Sequence, residues 1–226
     1  MKAKIIFYLV WILTLLIVPL TILKLTPLGL AFSTSQLTLS FLQRLTGLLV
    51  FTLFFWQIIL GAFMGKWIEK LGGWVFKFHV LEGAVIYSLV SLHPLLFVLF
   101  RFKSLGILDP FYVFTDVCVL CANKIEFLYT LGRVGFWLIT LAVVVVELRI
   151  QPWLRIHWRK FHIFNYFAFL LIAVHARGVG TDTRFTPFVW FYWISITIVV
   201  FTIFYKFLYP KVSKLFLSNQ KPEEAK

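Results

Sequence analysis

Four of the five histidines in the chain lie inside long apolar stretches, where an ionisable side chain is costly unless it has a partner or a function. They are His79, His93, His162 and His175. Neutral imidazole is a common ligand of iron, and two imidazoles on one haem leave no position for substrate, which suits electron transfer. The alternative is that the four histidines hydrogen-bond to neighbouring helices or relay protons.

The spacing of the histidines predicts two ligand pairs at two depths of a membrane. The steps of 14 and 13 residues correspond to about 21 and 20 Å along an α-helix. Both helices run outward, so His79 is expected to pair with His162 near the cytoplasm, and His93 with His175 near the other side. We call these the inner pair and the outer pair. Two matched pairs favour two haems over isolated histidines.

The 13-residue step does not fit a regular helix. At about 100° per residue, 14 residues leave an angular offset of about 40°, whereas 13 residues leave about 140°. The helix that carries His162 and His175 must therefore depart locally from α geometry, or His175 must reach its iron from a frayed end near Gly178 and Gly180.

The composition excludes a water-soluble fold. The 226 residues are 61% hydrophobic, with a mean hydropathy of +0.93. The length allows about six crossings of ~20 residues and no separate soluble domain of ~100 residues. The net charge of +13 is expected to set topology, and nucleic acid is excluded as a partner. Two cysteines, Cys118 and Cys121, cannot build a four-thiolate metal site.

Apolar windows predict an all-α membrane protein, a six-transmembrane-helix bundle with two haems between helices 3 and 5. The predicted spans are residues 5–23, 39–64, 74–100, 134–148, 161–176 and 188–208. They form one haem-binding domain, residues 1–210, followed by a short cytoplasmic tail, residues 211–226. In the long connection between the third and fourth spans, the apolar residues 111–120 are too few to span a membrane. They are expected to cap the outer face. A disulfide between Cys118 and Cys121 is one possibility for this cap.

Basic residues predict the orientation. With six spans both termini share one side, and that side holds fourteen of the 22 Lys and Arg residues. The positive-inside rule therefore places both termini in the cytoplasm of an integral membrane protein, and we expect the plasma membrane of a prokaryote. The eight basic residues of the outer side are Lys24, Arg44, Arg101, Lys103, Lys124, Arg133, Arg177 and Arg184.

Three residues of the second span are candidate haem contacts. Gly47 and Gly61 are 14 residues apart, which would let the backbone approach flat macrocycles at the same two levels as the histidines. Close helix packing explains the glycines equally well. Arg44 lies within the span and is expected to pair with a haem propionate, a role that Arg101 and Arg177 could share, unless these side chains extend to lipid headgroups.

Two segments carry a family resemblance. FKFHVLEGAVIYSLVSLHP (76–94) and WRKFHIFNYFAFLLIAVHARGVGTDT (158–183) resemble the ferric reductase transmembrane domain family, which includes the membrane portion of NADPH oxidases. RLTG (44–47) resembles the arginine of that family's second helix. The resemblance implies that the four histidines ligate two b-type haems with the same cross-pairing, and that Arg44 lies near the outer haem.

The resemblance also implies a function. Family members carry a cytoplasmic FAD and NAD(P)H module after the sixth helix, where this chain stops, and no GxGxxG or Walker motif occurs. We therefore expect a ferric reductase- or NADPH oxidase-like oxidoreductase subunit. It would carry electrons from a cytoplasmic reduced flavin, or from FAD or FMN in a partner such as a flavin reductase, to an extracytoplasmic acceptor. Ferric iron, oxygen and a protein are the candidate acceptors.

Two alternatives stay open at this point. The first is a related bacterial haem subunit that feeds a periplasmic methionine sulfoxide reductase, although that group typically lacks one of the four histidines. The second is a non-redox membrane transporter or scaffold in which the histidines form a proton relay.

Overall fold

The computed structural model describes residues 2–209, and every regular element in that range is a helix. The prediction of an all-α chain is confirmed, while the predicted tail, residues 211–226, lies outside the described residues. Short 3₁₀ turns cover Leu148–Ile150 and Asp182–Arg184, and a π-helical turn covers Phe204–Leu208. The α-helices are α1 Lys2–Leu25, α2 Leu28–Ala31, α3 Ser35–Ala62, α4 Met64–Leu71, α5 Trp74–Leu105, α6 Tyr112–Thr115, α7 Lys124–Glu147, α8 Pro152–His162, α9 Phe164–Val179 and α10 Phe188–Ile203.

Six helical stretches among residues 2–209 are long and apolar enough to cross a membrane, which confirms the predicted number of spans. Large apolar side chains such as Leu13, Leu81 and Phe201 are exposed on their outward faces, as lipid contact requires. The fold therefore fits an integral membrane protein. The spans are Lys2–Leu25, Ser35–Ala62, Trp74–Leu105, Lys124–Ile150, Pro152–Val179 and Phe188–Leu208.

The fourth span begins ten residues earlier than the apolar pattern predicts, at Lys124 instead of residue 134. Its first turns carry Glu126 and Arg133, which lower the hydropathy of any window that includes them. In the fold, the Asn123 side chain caps the helix by accepting a hydrogen bond from the Ile125 N–H at 2.9 Å. Arg133 is turned into the bundle and is 4% exposed. Tertiary packing thus extends a helix that hydropathy alone shortens.

The central helix of the bundle is α3. Within its apolar stretch 56% of the residues are buried by protein, against 33% or less in the other five spans. It packs most extensively against α5 and also against α1, α9 and α10, while α7 packs against α9. By contrast, α5 and α9 hardly contact each other along their backbones. The helices that carry three of the four histidines are therefore not packed directly against each other.

The connection between α5 and α7 covers one end of the bundle. Its helix α6 packs against α5 and α7 with Val113 buried, which confirms the predicted cap for the first part of the apolar stretch. The second part projects outward, because Leu120 is 98% exposed. Cys118 and Cys121 form a disulfide, and the Cys118 N–H donates a hydrogen bond to Thr130 Oγ1 at 3.1 Å. The disulfide-closed turn is thereby attached to α7.

Candidate functional site

The outer pair shares one cavity. His93 from α5 and His175 from α9 both line a cavity of about 390 Å³, whose other walls come from α3, α7 and the loop after α9. Tyr112 and Val113 of α6 close it on the side of the cap. Apart from a few polar groups, the lining is apolar, as in sites for small molecules and cofactors. The structure thus brings together the two histidines that the sequence assigns to the outer level.

Hydrogen bonds fix the tautomer of both outer histidines. The Nδ1 atom of His93 lies 3.0 Å from the carbonyl oxygen of Gln43, and Nδ1 of His175 lies 2.8 Å from that of Leu128. A carbonyl oxygen only accepts, so Nδ1 must carry the proton in both rings. Each neutral imidazole then keeps a free lone pair on Nε2. Metal-binding histidines are oriented in this way when a backbone carbonyl accepts from the second ring nitrogen.

The inner pair meets at the other end of α5. The ring centroids of His79 and His162 are 6.4 Å apart, and the ring planes cross at 68°. A metal bonded at about 2 Å to one nitrogen of each ring would place the two centroids about 6 Å apart. The spacing of the two imidazoles therefore leaves room for one metal atom between them.

Polar groups around the inner pair are only partly satisfied. His79 Nδ1 is buried without a hydrogen-bond partner, and the Gln57 side chain donates to the carbonyl oxygen of His79 at 2.7 Å. The Asn165 amide lies 3.5 Å from Nδ1 of His162. Rotation of this amide would present its oxygen, which could accept from an Nδ1–H of His162. Asn165 can therefore support the same tautomer that the carbonyls impose on the outer pair.

Three of the four imidazoles lie against a glycine. A Cβ at Gly47 would lie 2.8 Å from Cε1 of His93, and a Cβ at Gly132 would lie 2.9 Å from Cε1 of His175. At Gly61 the corresponding distance to Cε1 of His79 is 3.4 Å. Gly47 and Gly61 thus stand at the levels of the outer and inner pairs, as their spacing predicts. They admit the imidazole edges, and contact with a flat macrocycle stays a prediction.

A break interrupts the fifth span beside His162. The span is two helices, because α8 ends at His162 and α9 begins at Phe164. Around Ile163 the Tyr166 N–H bonds to the Ile163 carbonyl at 3.1 Å, which is an i→i+3 turn instead of an α-helical one. Of the two sequence-based explanations, the structure has the local departure from α geometry. The break lies between His162 and His175, within the 13-residue step.

Arg44 lines the cavity of the outer pair and is bound by an acidic residue that the sequence analysis did not single out. Its Nε donates to Asp182 Oδ2 at 2.7 Å, its Nη2 donates to Asp182 Oδ1, and its Nη1 donates to Thr26 Oγ1 at 2.9 Å. Asp182 is 2% exposed. This two-pronged ion pair ties α3 to the loop after α9. Asp182 accepts from two of the three guanidinium nitrogens of Arg44. Pairing of Arg44 with a haem propionate stays a prediction.

Replacing Asp182 by asparagine is expected to destabilise the protein by roughly 3 kcal/mol, because it leaves the Arg44 guanidinium without its counter-charge in a mostly buried place. Thermal unfolding of the detergent-solubilised protein would measure this loss. Asp116→Asn is the matched control, since Asp116 is exposed. The double variant Arg44→Gln/Asp182→Asn should lose less than the sum of the single losses. Equal melting temperatures for Asp182→Asn and the control would contradict this account.

Three further basic side chains lie outside both histidine pairs. Arg101 stacks over the Tyr112 ring at 4.1 Å, and Arg177 donates to the Thr183 carbonyl at 2.7 Å, and neither lines the cavity of the outer pair. His157, the fifth histidine, is tilted against Trp153 with ring centroids 4.6 Å apart. It belongs to neither pair.

Sequence reasoning missed the groups that orient the outer imidazoles. These are the carbonyls of Gln43 and Leu128, together with Gly132. Every residue carries a carbonyl, so no sequence pattern marks those two. Gly132 did carry a signal, because a glycine in an apolar helix interior marks a close approach of another group.

Comparisons with protein families, characterised proteins and solved structures gave no match to this chain.

Proposed function

We propose that this protein transfers electrons across a membrane through two b-type haems, each held by one histidine pair. Electrons would enter from a cytoplasmic reduced flavin or flavoprotein and leave to an extracytoplasmic acceptor, such as ferric iron, oxygen or a protein. The observation that carries the proposal is the outer pair. Two neutral imidazoles from separate helices line one cavity, and each is held by a backbone carbonyl in the tautomer that leaves Nε2 free.

The donor set of two imidazoles at each level suits a haem. One imidazole of each pair comes from α5 and the other from the fifth span. A haem iron needs two axial ligands from protein, because the porphyrin supplies the other four. The separation of α5 from α9 and the apolar walls of the outer cavity fit a large flat cofactor. At the inner level the ring spacing of 6.4 Å fits axial ligation.

The chemistry follows from the ligands. A haem with two imidazole ligands would supply a six-coordinate, low-spin iron that exchanges single electrons. The residues of this chain would hold each iron in place and exclude water from the apolar cavity. Gly47 and Gly132 would let the outer imidazoles lie close against α3 and α7. The carbonyls of Gln43 and Leu128 would fix the planes of the two rings. Two such sites on one helix, α5, would form a path along the membrane normal.

A proteoliposome assay tests the transfer itself. Vesicles that contain the purified protein and trapped ferricyanide receive reduced FMN outside, and neither reagent crosses a bilayer freely. We expect bleaching of the trapped ferricyanide at a rate well above that of protein-free vesicles. His79→Ala and His93→Ala should each abolish the added rate, because either removes one of the two steps. Equal rates with and without protein would contradict the proposal and favour a non-redox role.

A further inference from the structure

Arg133 has an unsatisfied donor in a buried place. It lies on α7 with its side chain 4% exposed, and it lines the cavity that His93 and His175 share. Its Nη2 is 3.8 Å from Glu126 Oε2, whereas its Nη1 is buried without a hydrogen-bond partner. A guanidinium N–H without a partner in a low-dielectric interior carries a large desolvation cost. Because Arg133 lines the cavity, an acceptor that enters the cavity can pair with its guanidinium.

The side chains around this end of the cavity only partly neutralise the positive charge of Arg133. The carboxylate of Asp182 is already paired with Arg44. Both carboxylate oxygens of Glu126 accept from the Tyr112 hydroxyl, at 2.7 and 2.8 Å. Burial and this hydrogen bond raise the pKa of Tyr112, so its phenol is neutral at pH 7 and adds no negative charge. The carboxylate near Arg133 is therefore that of Glu126, and both of its oxygens already accept from Tyr112.

A cation–π contact holds the Arg133 side chain in position. Its guanidinium lies over the Tyr112 ring at 4.6 Å, a cation–π distance. It also follows Gly132, whose missing Cβ admits the His175 ring. The same turn of α7 thus presents a cation beside the imidazole of the outer pair. A ligand of this cavity would meet both an axial nitrogen and a positive charge.

We infer that the Arg133 guanidinium binds a carboxylate inside the cavity, and that this carboxylate is a propionate of the outer haem. The inference rests on the proposed function and deepens it. It places the anionic edge of the outer haem towards α7 and the Tyr112 cap, instead of towards Arg44. A charge-assisted hydrogen bond of this kind is stronger than a neutral one. Here it would give the weakly paired Arg133 guanidinium an acceptor.

Arg101 offers a matched control. It also stacks on Tyr112, at 4.1 Å, and its Nη1 is likewise buried without a partner, but it does not line the cavity. Arg133→Gln is expected to release the outer haem roughly tenfold to hundredfold faster to an apo-globin acceptor. It should also lower the midpoint potential of the outer haem, because a nearby cation favours the reduced iron. Arg101→Gln should leave the release rate unchanged and lower the potential by less than Arg133→Gln does.

A modified haem tests the partner directly, and it does so in the native protein. Apoprotein from haem-limited cells is loaded with haem or with its dimethyl ester, in which the propionates are uncharged. We expect the ester to leave the native outer site as fast as haem leaves Arg133→Gln, with no further acceleration when the two changes are combined.

Additive effects of the ester and Arg133→Gln, or equal losses in Arg133→Gln and Arg101→Gln, would overturn the inference while leaving the proposed function intact. Failure of the native apoprotein to bind haem at all would overturn both. An unchanged release rate and potential in a folded Arg133→Gln protein would overturn the inference alone.

Discussion

Replacing His93 by alanine is expected to reduce the haem content from two per chain to about one. The variant removes one imidazole of the outer pair and leaves the inner pair, about 21 Å away along α5, untouched. His175→Ala should give the same spectrum, because His175 lines the same cavity. His79→Ala and His162→Ala should instead share the complementary spectrum, that of the remaining outer haem. Haem quantification and reduced-minus-oxidised spectra of the four purified variants would measure this pattern.

His157→Ala is the matched control for this series. His157 is the one remaining histidine of the chain, and it is tilted against Trp153 outside both pairs. This variant should keep two haems. Loss of both haems from His93→Ala with the protein still folded, or identical spectra for His93→Ala and His79→Ala, would contradict the assigned pairing.

Adding a side chain at Gly132 is expected to weaken binding of the outer haem by roughly fivefold to hundredfold, while binding of the inner haem is unchanged. A Cβ there would lie 2.9 Å from both Cε1 and Nδ1 of His175. The ring cannot yield without breaking its 2.8 Å hydrogen bond to the Leu128 carbonyl. Loss of that bond and of the ring's orientation costs about 1–3 kcal/mol, and 1.4 kcal/mol is already a factor of ten. Haem titration of the Gly132→Ala protein would measure the effect.

The glycine series has internal controls. Gly47→Ala should act like Gly132→Ala, because its Cβ would lie 2.8 Å from Cε1 of His93. Gly61→Ala should be milder, since 3.4 Å from His79 borders on ordinary contact. Gly65→Ala should have no effect on haem, because nothing lies within 4 Å of the added carbon. If Gly65→Ala and Gly132→Ala lower haem content equally, the steric argument fails.

The spans and the meeting of the histidines could be predicted because a membrane imposes regular helices. Every backbone polar group in hydrocarbon must be satisfied within its own helix, so the 1.5 Å rise converts a residue spacing directly into a depth. His79, His93, His162 and His175 therefore fall at two levels in the fold as they do in the sequence. The same regularity exposed the angular misfit of the fifth span, and the fold interrupts that span at Ile163.

The rest depends on tertiary contacts that no local pattern marks. The early start of α7 needs a buried place for Arg133, which only the assembled bundle provides. The partner of Arg44 is Asp182, which lies 138 residues away in the sequence. The acceptors for His93 and His175 are backbone carbonyls, which have no sequence signature. Hydropathy and spacing thus locate the ligands, whereas the groups that orient them emerge only from packing.

The stoichiometry of haem in the purified protein tests the central claim most directly. A pyridine haemochrome assay, combined with amino-acid analysis of the same sample, gives the number of b-type haems per chain. The account predicts two, one for His79 with His162 and one for His93 with His175. A value near zero in protein that is folded and was made with sufficient haem would contradict it.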